Sequence, residues 1–394
     1  MFPPVPALVI TGFSGSGKTT FLEKLIPALK ERSYFPVYIK HAGGKYRLDT
    51  PGKDSFRQLA AGAGFSMVFT DEEWAMHQPG PIDETWLCSQ AYSDIILLEG
   101  FKKSVHPKVL CVHPEKGVPE DLDWTHFNPE SNIWAYLTHD SGKAEQLNQK
   151  LGQEIAFQRD QIEAITNHVL EKLDQHCRNL FPLNAAVMIG GKSTRMGQDK
   201  AWLEYGRGPH ASYLFDLLAQ QPAIQEVFYS SSPFSSAAPE IPRELILSDQ
   251  FLNFGPLGGF LTLFEKHPRS AWLVLACDLA MLQKETLDYL IQHRDPLKAG
   301  TIFVSEKQRF EPLAAIYEPR MGLHMKRALL NGEYSLQRIF PHLSLQQLSI
   351  PDFLRIQLSN VNTPHERRQT LDLLNKENQE PSREAGIQKK NGHV

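Results

Sequence analysis

Two stretches of this sequence have the residue types and spacing to grip phosphates. GFSGSGKT (Gly12–Thr19) fits G-x-x-x-x-G-K-[ST] with no residue out of place. Glycines let successive N–H groups curl around phosphate oxygens, and a following helix N-terminus adds partial positive charge. In that arrangement Lys18 reaches the β and γ phosphates and Thr19 ligates Mg²⁺. Gly12, Gly15, Ser16, Gly17 and Thr20 complete the candidate nucleotide-binding set. The second stretch, GGKSTRMGQDK (Gly190–Lys200), follows the apolar run AAVMI. It lacks the GK[ST] ending and does not fit G-x-G-x-x-G, so it is neither a second P-loop nor a dinucleotide fingerprint. It suits nucleotidyl transfer. Gly190 and Gly191 would wrap a nucleoside triphosphate, the planar fork of Arg195 and the mobile charge of Lys200 offsetting its phosphates.

Such chemistry needs carboxylates at strand ends, where open α/β sheets hold ligands. Glu99 closes SDIILLEG and is a candidate metal-side or water-side acid, an ordinary strand-end acid being the alternative. Asp94 opens the same strand and is the weaker candidate. Asp278 ends LVLACD and would bind Mg²⁺, unless it merely caps the run LAMLQKETL. Asp249 ends LILSD and precedes FGPLGG (Phe254–Gly259), a turn tight enough for backbone to approach a ligand.

These residues require a scaffold of buried strands and helices, and the chain reads as one. ALVIT (7–11), PVYIKH (36–41), SDIILLEGF (93–101), HPKVLCVH (106–113) and NIWAYLTHD (132–140) are strand-like. They alternate with helical runs such as TTFLEKLIPALKERSYF and DQIEAITNHVLEKLDQHC (160–177). That alternation predicts an α/β protein with parallel sheet. The pattern restarts at AAVMIGG and continues through EVFYSS, LILSD, AWLVLACD and TIFVSEKQRFEPLAAIY. Two domains are expected: residues 1–176 with a P-loop NTPase-like sheet, a linker at 177–184, and a Rossmann-like nucleotidyltransferase sheet over 185–372. The polar stretch 373–394 is expected to be a disordered tail.

With 394 residues the chain exceeds one ordinary core, and its 41% hydrophobic, 22% charged composition is that of a soluble globular protein. A net charge of −4 disfavours a surface built for nucleic acid or anionic lipid. Cys88, Cys111, Cys177 and Cys277 form no CxxC pair, so neither a disulfide framework nor structural zinc is expected. Cys277 is expected as a small buried hydrophobe. No basic signal-peptide start and no membrane-length apolar run occur, and a reducing, cytoplasmic setting is expected.

The N-terminal half resembles the adaptor protein of molybdopterin-guanine dinucleotide biosynthesis, the MobB type, through three features. These are KHAGGKYRLDTPGKDSFRQLAAGA (40–63), LLEGFK and the Pro107–Lys108 step. The resemblance spans most of residues 6–175. This chain has AGGKY after its KH dipeptide, where the family usually shows several histidines. Lys40, His41, Lys53 and Arg57 add cations beside the nucleotide site, a solvated loop being the alternative for each.

The second half, over about 183–370, resembles the molybdenum cofactor guanylyltransferase family, the MobA type. The match lies in the ordered series of glycine loop, aspartate, GPLGG and CD, with FEPLAAIY (310–317) and SNVNTP (359–364). The resemblance implies that Met188, Ile189, Gly190, Lys200, Asp249 and Asp278 bind GTP, Asp278 also holding Mg²⁺. Two departures stand out: CDLA lacks the usual proline, and serine in VFYSSS replaces a frequent asparagine.

Joined, the two resemblances imply GMP transfer from GTP to molybdopterin or Mo-molybdopterin. The product is a guanine dinucleotide destined for molybdoenzymes and their chaperones, and the front half is a GTP-binding adaptor. Fusion would raise the effective concentration of one step near the next. Transfer of another nucleotide such as CMP, a sugar-phosphate acceptor, and a non-catalytic nucleotide-gated binding module are the rivals. Arg309, Arg338 and Lys307 are candidate basic residues for the acceptor's phosphate and fused rings.

Overall fold

The computed structural model describes residues 5–41, 52–63, 66–72, 74–77, 93–117, 132–189, 200–232 and 241–375. They divide into two compact units, one running to Lys172 and the other from Leu173 onward.

The first unit opens with β1 (Ala7–Thr11), the glycine loop and α1 (Lys18–Glu31), then β2 (Pro36–Lys40). After α2 (Asp54–Ala60) comes a small antiparallel ribbon, β3 (Ser66–Phe69) and β4 (Trp74–His77), which the sequence pattern does not announce. Next come β5 (Ile95–Glu99), β6 (Lys108–Cys111), β7 (Ile133–Thr138), α3 (Ser141–Leu151), β8 (Ala156–Gln158) and α4 (Ile162–Leu180). Six strands form a sheet ordered β2-β5-β1-β6-β7-β8, parallel throughout. β1 and β5 are central and buried along their whole length, which is why ALVIT and IILLE read as continuous apolar runs.

The second unit takes up β9 (Leu183–Met188), a 3₁₀ turn at Lys200–Trp202, α5 (His210–Ala219), β10 (Ile224–Ser231) and β11 (Ile246–Ser248). It continues through α6 (Pro256–Lys266), β12 (Ala271–Ala276), α7 (Lys284–Gln292), β13 (Gly300–Val304) and β14 (Phe310–Tyr317). α8 (Met321–Leu330), α9 (Leu336–Ile339) and β15 (Gln346–Ser349) complete the order. The seven-stranded sheet is ordered β11-β10-β9-β12-β14-β13-β15. Its first four strands are parallel, whereas β14 runs antiparallel to both neighbours. The sheet is therefore mixed. Five residues separate β13 from β14, enough for a hairpin and too few for a parallel crossover.

Alternate residues of the central strands feed two cores. Ala185, Val187, Leu273 and Leu275 meet Leu214, Leu218, Leu287 and Leu290 of α5 and α7. Ala186, Trp272 and Val274 meet Leu257, Phe260, Phe264, Met321 and Met325 of α6 and α8.

Residues 177–184, expected as a linker, are built into elements: Cys177–Leu180 close α4 and Leu183–Asn184 open β9. Residues 373–375, expected in the tail, belong to a helix over 364–375. Leu374 is buried there with Tyr205, Met281 and Val361. The remainder of that expected tail lies outside the described residues. Cys111 and Cys177 are buried, while Cys277 is half-buried rather than fully enclosed.

Candidate functional site

In the first unit the P-loop joins β1 to α1 and needs its glycines. Gly12, Gly15 and Gly17 have φ of 138°, 77° and 78°, where side chains are strained. A Cβ on Gly12 would strike the Cys111 carbonyl, and one on Gly17 would strike the Arg159 guanidinium. Lys18 donates to the carbonyls of Gly12 (3.2 Å) and Phe13 (2.7 Å), which bends its ammonium back over the loop. Burial lowers its pKa. Ser16 is fully buried under the loop.

Glu99 is 4% exposed at the carboxyl end of β5. Its Oε1 accepts from the Thr19 hydroxyl at 3.3 Å and lies 3.4 Å from Lys40 Nζ, while Oε2 accepts from Tyr38 at 2.6 Å. Burial, then the hydrogen bond to Glu99, raises the Tyr38 phenol well above its ordinary value. Thr19 and Glu99 thus sit together as hard oxygen donors, a set that fits Mg²⁺. Asp94 does not join them. It opens β5 at the opposite end, buried, where its carboxylate accepts from the Phe35 amide at 2.9 Å; its work is structural. His41 flanks the site, its amide donating to the Glu99 carbonyl at 2.9 Å. Lys53 and Arg57 belong to the exposed α2 region, and Arg57 pairs with Asp54 at 3.7 Å.

Sequence reasoning missed Arg159, just beyond β8. Its Nη2 donates to the Ser16 carbonyl and, at 3.1 Å, to the Val112 carbonyl. No motif marks it, because 143 residues separate it from Ser16.

In the second unit the ends of four parallel strands converge. Register sets Met188 of β9 beside both Ser230 of β10 and Ala276 of β12. Ser231 pairs with Ser248, directly before Asp249. Ser230 Oγ donates to Asp249 Oδ1 at 3.4 Å. Gly259, inside α6, lets the group close up: a Cβ there would overlap the Met188 methyl and press on Ser230. Ser230, one of the serines of VFYSSS, is thus in contact with Asp249. Burial raises the Asp249 carboxyl to about 6, the Ser230 hydroxyl pulling the other way.

Asp278 lies two residues past the end of β12, on the same sheet edge and next to the strand that leads into the glycine-rich stretch. Its charge helps raise the pKa values of Tyr205 and Glu311, for both of which burial is the larger cause. Glu311 of β14 is thus near enough to feel the Asp278 charge. Gly190, Gly191 and Arg195 lie outside the described residues, as does the side chain of Lys200, whose backbone opens the 3₁₀ turn. Among the described residues no group of three or more His, Cys, Asp or Glu is arranged for a metal. A cation at Asp278 would take its remaining ligands from phosphate and water, as Mg²⁺ does.

A cavity of about 460 Å³ opens beside β13 and β15, lined by Glu306, Lys307, Gln347 and Arg355 among others. Lys307 lines that cavity and Asp249 does not, Arg338 pairs with Glu333 at 3.6 Å, and Arg309 acts on Glu311.

Comparison with known proteins finds two successive matches along the chain. Residues 7–128 match the family model "Molybdopterin guanine dinucleotide synthesis protein B" (MobB), and residues 185–347 match "MobA-like NTP transferase domain". An adapter protein of molybdopterin-guanine dinucleotide biosynthesis from Haemophilus influenzae is 42% identical, over 29% of this chain and 69% of its own. A probable molybdenum cofactor guanylyltransferase from Trichormus variabilis is 32% identical, over 47% of this chain and 88% of its own. The chain belongs to both families.

The MobB part and the MobA-like part are joined end to end here. A molybdenum cofactor biosynthesis bifunctional protein from Synechocystis sp. is 34% identical over 47% of this chain. That match spans only 52% of the relative's length. Among the described residues no helix is long and apolar enough to cross a membrane.

Proposed function

We propose that the MobA-like unit transfers GMP from GTP to the terminal phosphate of molybdopterin or Mo-molybdopterin. The MobB unit binds GTP at its P-loop and assists delivery of the product. The observation that carries the reading is the meeting of Met188, Ser230 and Asp249 on one sheet edge with the Asp278 turn beside them.

An oxygen of the pterin's phosphate attacks the α-phosphorus of GTP in line. The bond from that phosphorus to the bridging oxygen breaks, and pyrophosphate leaves with the electron pair. No protein nucleophile is needed. A bound Mg²⁺ would offset charge on the phosphates, and Asp278 would hold it. Lys200 and Arg195 are assigned to the triphosphate. Asp249 is assigned to the base, because an ionised carboxylate only accepts hydrogen bonds and guanine offers N–H groups on its pairing edge. Guanine offers two adjacent donors there, N1–H and N2–H, to the two carboxylate oxygens, whereas cytosine offers only its amino group, which favours GTP over CTP.

In the MobB unit, Glu99 is assigned to the metal or its water, oriented by Tyr38 toward Thr19. Arg159 is assigned to hold the loop for the phosphates.

Incubation of the full chain with Mg²⁺, molybdopterin and GTP, CTP or ATP tests the reading. Pyrophosphate and a guanine dinucleotide, identified by mass, should form with GTP alone. Equal turnover of CTP, or binding with no pyrophosphate from any nucleotide, would overturn it in favour of a rival.

A further inference from the structure

Asp278 stands in a turn that no strand holds. β12 ends at Ala276, and residues 277–282 must reach Gln283 before α7 begins. Hydrogen bonds from distant residues fix the turn instead. Val361 donates its amide to the Asp278 carbonyl at 2.9 Å, and the Gln283 amide donates to Gln357 Oε1 at 3.1 Å. Tyr213 donates to the Leu282 carbonyl at 3.3 Å. Nε2 of His210 lies 3.1 Å from the Leu279 carbonyl, which can only accept.

His210 is 2% exposed, at the start of α5. Its ring stacks on Tyr213 (centroids 5.9 Å apart) and meets the edge of Tyr205 at 5.2 Å. Burial holds the imidazole's pKa down to about 4, so it is neutral at ordinary pH with its proton on Nε2. A leucine or phenylalanine would fill the same space. The polar ring is there for its hydrogen bond.

Its place in the chain gives that bond a purpose. Lys200 ends the glycine-rich stretch, and Lys200–Trp202 form the 3₁₀ turn. A closed turn then leads into α5, with Glu204 bridged to Pro209 and the His210 amide bonded to the Leu203 carbonyl at 3.0 Å. The segment that carries the candidate phosphate loop thus reaches across, ten residues later, to the backbone next to Asp278.

We propose that His210 is a positioning residue for nucleotidyl transfer: through the Leu279 carbonyl it ties the Asp278 turn to the segment leaving the glycine-rich loop. The Asp278 turn and the Lys200–Trp202 turn then keep one spacing. The proposal rests on the transferase reading above. Misplacement of a reacting group by about 1 Å can cost on the order of 100-fold in rate, so one lost tether would be felt.

The test uses the full chain carrying His210→Phe or His210→Gln, with His210→Asn, too short to reach Leu279, in reserve if the phenylalanine variant does not fold. Hydrogen–deuterium exchange over residues 277–283, without nucleotide or metal, is the first readout. It should quicken in His210→Phe and stay near wild type in His210→Gln, whose amide can donate. In turnover, His210→Phe should lower kcat by about 10- to 100-fold and raise the Mg²⁺ concentration needed for half-maximal rate. KM for GTP should change little, and the glutamine variant should recover most of the rate. Unchanged exchange in His210→Phe, or equal loss of rate in both variants, would overturn the proposal. Were the wild-type chain to transfer no nucleotide, the functional reading would fall, and the exchange result would still decide the tether.

Discussion

The Tyr38 hydroxyl donates to Oε2 of Glu99 across 2.6 Å, leaving Oε1 to face the Thr19 hydroxyl. One carboxylate is thereby aimed by a residue of the edge strand at the first turn of the P-loop helix. Tyr38→Phe should keep the fold and weaken Mg²⁺-dependent GTP binding several-fold. Glu99→Gln should remove the Mg²⁺ dependence. Titration of the full chain with a fluorescent GTP analogue, with and without Mg²⁺, measures both, the binding left in a Lys18→Ala chain being subtracted as the other unit's share.

Asp278→Ala is expected to abolish guanine dinucleotide formation while circular dichroism and melting stay close to wild type. The residue is half-buried in a turn and completes no core cluster. Transfer near the wild-type rate would remove it from the catalytic assignment.

Asp249 provides a pH test. Its carboxyl titrates near 6 in the fold against an ordinary 3.8. The native state therefore binds the proton more tightly than the unfolded chain. The stability this gives is fully present below the ordinary value and is lost as pH rises through about 6. Base recognition runs the other way, because only the ionised form accepts from guanine N–H groups. KM for GTP in the transferase should fall as pH rises through 6, while Asp249→Asn should give a weak, nearly flat profile. A wild-type KM constant between pH 5 and 7.5 would remove Asp249 from the base site.

The second unit contains a buried ion pair whose loss should be visible in stability alone. Arg294 donates to both oxygens of Glu318 (2.7 and 3.0 Å) and to the Phe181 carbonyl at 3.1 Å. Glu318→Gln leaves an uncompensated buried guanidinium and should destabilise by about 3–5 kcal/mol. Chemical denaturation should show the loss in the transition assigned to the second unit, with P-loop nucleotide binding intact.

The elements that carry chemistry were readable because each imposes a local pattern. The P-loop needs glycines at fixed offsets, and β5 and β12 need unbroken apolar runs since both their faces are covered. Asp249 and Asp278 were found as acids that end such runs. Asp94, placed behind Glu99 because it opens the strand, meets the Phe35 amide at that opposite end. Arg159, Tyr38 and His210 were not legible at all: each acts through a partner tens of residues away. The antiparallel turn of β14 was legible in principle, since five residues cannot carry a crossover.

The helix Ile162–Leu180 carries residues of both compact units. Ile165 and Val169 are buried in its first half, Leu173 and Cys177 in its second. Near its end Arg178 grips the Arg294 carbonyl at 2.5 Å. No single cut can therefore release two intact halves. A break inside the helix would expose buried apolar side chains on both pieces. Separate expression of the halves should need this segment duplicated, once on each.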